Sequence, residues 1–69
     1  MGTTWEIWCG TRLVSLANTT ASAHETVIEY LCSTGFTVEE MARVADDAVS
    51  CRGEIYRAVR LGSEEAVAA

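Results

Sequence analysis

Alternation of apolar and polar residues with period two opens the chain, and a period near 3.6 follows it. Thr4-Trp5-Glu6-Ile7-Trp8-Cys9 and Arg12-Leu13-Val14-Ser15-Leu16-Ala17 flank Gly10-Thr11. Glycine first in a two-residue loop is the signature of a type II′ hairpin turn. That loop predicts a register in which Cys9 faces Arg12, Ile7 faces Val14 and Trp5 faces Leu16. Side chains alternate across a strand, so Trp5, Ile7, Val14 and Leu16 are expected on one face. Trp8 and Leu13 then pair on the other, beside Glu6 and Ser15.

The polar stretch Asn18-Thr19-Thr20-Ala21 leads into the helical pattern. Ser22-Ala23-His24-Glu25 and Thr37-Val38-Glu39-Glu40 both read as capping boxes. In each, a hydroxyl accepts from an orphan backbone N–H and the glutamate reaches back to the cap's own N–H. The first predicted helix runs from about Ala23 to Thr34, with Ala23, Val27, Ile28, Leu31 and Cys32 on its buried stripe and Glu25 and Glu29 outside. Gly35 stands at its C′ position, and Phe36 falls where a Schellman motif returns an apolar contact to Leu31. Phe36 also precedes the second cap, with Met41 at the spacing of a hydrophobic staple. Val38, Met41, Ala42 and Ala45 recur at helical spacing, which predicts a short second helix ending at Asp46-Asp47.

From Val49 to Leu61 both periods fit. With period two, Val49, Cys51, Ile55, Val59 and Leu61 share a side, and Gly53 marks a bulge or tight turn. With period 3.6, Cys51, Ile55, Ala58 and Val59 form a stripe. Ile, Tyr and Val favour a strand, and a two-stranded hairpin needs a third strand for stability. The strand is preferred.

The resulting expectation is one α+β domain over residues 1–62 in the order β-β-α-α-β, a small antiparallel sheet with two short helices packed on one face. Residues 63–69 are expected to form a frayed tail. The predicted core is Trp5, Ile7, Val14, Leu16, Val27, Ile28, Leu31, Phe36, Met41, Ala42, Ala45, Val49, Ile55, Val59 and Leu61. At 69 residues the chain buries only about 60% of its unfolded surface, a size at which self-association is a common source of stability. No stretch approaches the ~20 apolar residues of a membrane span and no signal-peptide pattern opens the chain, so a cytoplasmic protein is expected.

Charge changes this picture because it is uneven within a net of −5. Residues 25–47 carry Glu25, Glu29, Glu39, Glu40, Asp46 and Asp47 against Arg43 alone. Residues 48–61 carry Arg52, Arg57 and Arg60 against Glu54. Cys9, Cys32 and Cys51 are odd in number and widely spaced, which suits free thiols rather than a disulfide framework or a metal site. The one histidine, His24, lies in a helical first turn with no nucleophile at a fixed spacing. No catalytic residue, cofactor or metal site is expected, and the chain is read as non-enzymatic.

Gly35-Phe36-Thr37-Val38-Glu39-Glu40-Met41-Ala42 resembles the first helix of a helix-turn-helix, as in sigma-factor-like or repressor domains. That resemblance implies a DNA-binding regulator using residues 37–61, with Arg52, Arg57 and Arg60 on the groove-reading helix. It departs from the pattern where Asp46 replaces the turn glycine, and the acidic charge opposes phosphates, so nucleic acid is a disfavoured partner. The preferred reading is a protein-binding module, a small acidic inhibitor or modulator of a nucleic-acid-handling complex. Its six carboxylates would face a basic protein surface in the manner of a nucleic-acid mimic. Phage-encoded anti-CRISPR proteins are similar in size and charge only, which is the extent of any link to phage or mobile elements. A third reading is a structural subunit or homodimer docking through an apolar face formed by Trp8, Leu13 and Tyr56.

Overall fold

The computed structural model describes residues 2–61. Its elements are β1 (Thr3–Cys9), β2 (Arg12–Thr19), α1 (Ala23–Ser33), a single 3-10 turn (Val38–Glu40), β3 (Met41–Ala45), β4 (Ala48–Cys51) and β5 (Glu54–Arg60). The five strands form one sheet in the order β2-β1-β5-β4-β3, with every neighbouring pair antiparallel. Helix α1 carries the chain from β2, at one edge, towards β3 at the other. It lies on one face only, where Val27 and Leu31 pack against Val49, Cys51 and Ala58. Ile7 lies opposite Ala58 on the same face and is fully buried.

The first helix is built as its sequence predicts. Glu25 N–H donates to Ser22 Oγ at 3.2 Å and Ser22 N–H donates to Glu25 Oε1 at 3.3 Å, closing the capping box. The buried Thr26 hydroxyl is satisfied by donating to the Ser22 carbonyl at 2.7 Å. At the far end Phe36 N–H donates to the Leu31 carbonyl and Gly35 N–H to that of Cys32, both at 3.1 Å, with Gly35 at φ +111°. Those two bonds are the Schellman pair.

The second helix does not form, and this overturns the expected two-helix architecture. Glu40 does reach back, accepting from Thr37 N–H at 2.9 Å, while Glu40 N–H donates to the Thr37 carbonyl at 3.0 Å. The motif closes one 3-10 turn, after which Met41 is already extended. A helix of two turns repays its nucleation poorly. Met41–Ala45 instead gains a ladder with β4 through the two-residue turn Asp46-Asp47. A capping box specifies a first turn, not the helix beyond it.

Residues 49–61 are extended, as preferred, but they form two strands rather than one. Arg52 and Gly53 make the turn between β4 and β5 at φ +51° and +82°. Positive φ at both central residues is the type I′ geometry that matches sheet twist. A Cβ at Gly53 would touch nothing within 4 Å, so Gly53→Ala isolates the backbone penalty. It is expected to cost roughly 1–2 kcal/mol, read by urea unfolding. A loss below a few tenths would show that this hairpin can turn another way.

The first hairpin keeps its predicted ends and changes register within. Cys9 pairs with Arg12 and Trp8 with Leu13, but Ile7 pairs with Ser15, Glu6 with Leu16 and Trp5 with Ala17, because Val14 is the extra residue of a bulge. Two residues of β2 therefore oppose one of β1. The shift reverses the faces beyond it. Leu16, expected opposite Trp5 in the core, is 60% exposed on the other face. The expected core positions Ala42, Ala45, Ile55 and Leu61 are also exposed, while Cys9, Ala48, Cys51 and Ala58 are buried in their stead. The predicted frayed tail, residues 63–69, lies outside the described residues.

Candidate functional site

Paired residues of neighbouring antiparallel strands point to the same face. The helix-covered face collects Trp5, Ile7 and Cys9 from β1, Tyr56 and Ala58 from β5, and Val49 and Cys51 from β4. The uncovered face collects Leu13 and Leu16 from β2, Glu6 and Trp8 from β1, and Ile55, Arg57 and Val59 from β5. Leu13 and Ile55 are 45% and 44% exposed there. Leu13 and Leu16 share this face, despite an odd spacing, because the bulge at Val14 takes up the extra residue.

Trp8 and Trp5 differ in role. Trp8 Nε1–H donates to Glu6 Oε1 at 3.2 Å, so its polar edge is satisfied within the open face. Trp5 packs against the core beneath the helix side, its Nε1 buried without a hydrogen-bond partner among the described residues. Trp8 and Leu13 do lie together on the open face as expected. Tyr56 does not join them: it sits on the helix side, its ring 6.2 Å from that of Tyr30. Ile55, Val59 and Leu16 take the place assigned to it. The strand pattern alone points to Ile55 only once the turn at Arg52-Gly53 is recognised.

The carboxylates expected to form one acidic surface are divided among several roles. Glu40 Oε2 accepts from Arg52 Nε at 2.7 Å, Asp46 pairs with Arg43 at 2.8 Å and Asp47 with Arg57 at 3.2 Å. Glu25 closes the capping box of α1, Glu29 is exposed on the same helix, and Glu39 is exposed on the 3-10 turn. Arg52 also lies over the Phe36 ring, 4.8 Å from its centroid. Two arginines of the basic C-terminal stretch thus meet two acids of the middle stretch, which the linear charge pattern conceals.

The Thr37 backbone N–H, and then the Arg52 guanidinium, hold the Glu40 carboxyl below its ordinary value. A folded-state pKa lowered in this way contributes stability that is present above the unfolded value near 4.5. That contribution is lost as pH falls through the folded pKa. Glu40→Gln is therefore expected to flatten the decline of melting temperature below about pH 5. A variant whose melting curve tracks the parent across that range would remove this contact from the stability account. Charge reversal at Glu40 perturbs the turn itself and so is a poor probe of binding alone.

The helix face brings together Cys9, Glu54 and Tyr56. Cys9 Sγ–H donates to Glu54 Oε1 across the β1–β5 pair. The hydrogen bond to Glu54, and then burial, raise the Cys9 pKa, and burial raises that of Tyr56 beside it. Both changes keep the protons on, the opposite of what an activated nucleophile needs. His24 lies on the first turn of α1, outside this cluster. Among the described residues no three His, Cys, Asp or Glu side chains converge as a metal site would require. The described residues form no pocket either.

The helix-turn-helix resemblance is overturned by the same geometry. Residues 41–60 are three strands and their turns, so Arg52 occupies a hairpin turn while Arg57 and Arg60 lie on β5. No helix of the described residues is long and apolar enough to cross a membrane. Comparison with protein-family models, curated proteins and solved structures finds no match.

Proposed function

We propose that this chain is a non-enzymatic protein-binding module that engages its partner through the open face of its sheet. One observation supports the reading above the rest: a five-stranded sheet covered by a helix on one side leaves Leu13, Leu16 and Ile55 exposed on the other, beside the half-buried Trp8 and Val59. Exposed apolar residues gathered on one face mark contact surfaces on small soluble domains, and here Glu6 and Arg57 stand among them. Aromatic anchors such as Trp8 supply large contact area at low entropic cost. The acidic-inhibitor reading has less support, since Glu40, Asp46 and Asp47 are engaged by arginines of the same chain.

The test places a photo-crosslinking amino acid at position 16, and in a second variant at position 29, in the native host. Adducts from position 16 and none from position 29 are the expected result. Adducts confined to position 29 would transfer the binding surface to the helix, and silence at position 16 would remove the reading.

A further inference from the structure

We infer that the occupant of the open face is a second copy of this chain, packed sheet against sheet about a two-fold axis. This deepens the reading above and rests on it. A two-fold interface must be self-complementary, each residue meeting its counterpart's partner. Glu6 on β1 and Arg57 on β5 lie diagonally next to one another in the middle of the apolar group, since Glu6 pairs with Val59 and Trp8 with Arg57. An axis passing between them sets the carboxylate of each copy against the guanidinium of the other.

Within one copy the two charges are not consumed by each other. Glu6 accepts from Trp8 and Arg57 donates to Asp47 at the rim. A guanidinium has five donors and a carboxylate about four acceptor sites, so each keeps capacity for a second partner.

Area agrees with charge. A stable interface takes about 800 Å² from each partner, less than a fifth of the 4491 Å² the chain exposes. Stacked sheets also cover the second face of a small domain whose single helix packs on one side of its sheet.

The experiment is sedimentation of the full chain over a wide concentration range, with circular dichroism as the check on folding. The wild type is expected to be a dimer at high concentration. Leu16→Lys, a change at an exposed position, is expected to weaken self-association at least tenfold. Glu6→Arg should do the same, and adding Arg57→Glu to it should restore the dimer. A chain that stays monomeric throughout overturns the inference, as does a dimer whose dissociation constant Leu16→Lys leaves unchanged. A monomer that still crosslinks another protein from position 16 rejects the second copy and keeps the open face as the binding surface. A monomer without such adducts rejects both.

Discussion

Leu31→Ala is expected to lose roughly 2–5 kcal/mol of unfolding free energy. Leu31 is fully buried where α1 meets the sheet, in contact with the cluster of Val27, Val49, Cys51 and Ala58. Its carbonyl also receives the Phe36 N–H of the Schellman motif, but that bond is backbone and survives the substitution. The loss is therefore a cavity effect. A domain of this length has only about 3–10 kcal/mol in total, so the variant should be substantially unfolded near physiological temperature. Urea titration with an unchanged slope measures it. A loss under 1 kcal/mol would mean that α1 is not seated on this face.

Leu16 gives the opposite result by the same measurement, with the largest expected effect on binding. In the regular hairpin register it faces Trp5, and Leu16→Ala would rival Leu31→Ala. In the bulged register it faces solvent opposite Glu6. The paired substitution Leu13→Ser with Leu16→Ser is accordingly expected to change the stability of the monomer, measured at concentrations too low for self-association, by no more than about 1 kcal/mol. Partner binding through the open face should weaken by more than tenfold. A large loss of stability would restore the unbulged ladder. Intact stability with intact binding would move the contact elsewhere.

Leu13 and Leu16 stand on a face that the linear charge pattern does not mark. Linear charge directs attention to the acids of residues 25–47, yet Arg52 and Arg57 return from β4–β5 to meet Glu40 and Asp47. Exposed ion pairs of this kind contribute little to stability, but they take local net charge out of any recognition surface. Among the described residues no helix covers the leucines and isoleucine of the open face. One side of the sheet rests on α1 while the other presents a tryptophan, two leucines, an isoleucine and a valine.

Local chemistry was legible in the sequence wherever a few adjacent residues decide the outcome. Gly10-Thr11 set a hairpin turn, Ser22 and Glu25 opened α1, and Gly35 with Phe36 closed it, because each depends on hydrogen bonds spanning five residues or fewer. The extended character of residues 49–61 was likewise carried by its Ile, Tyr and Val content. The fate of Met41–Ala45 was not legible. A helical stripe and a strand were both compatible with its side chains, and pairing with β4 chose between them.

Only the tertiary structure placed the bulge at Val14. A ladder shared between β2 and β5 on either side of β1 constrains Ile7 and Trp8 from both edges. The extra residue was absorbed where the edge strand is free to bend. Periodicity along one strand carries no information about its neighbour's neighbour. The face shown by Leu16, and with it the candidate binding surface, is therefore a property of the assembled sheet.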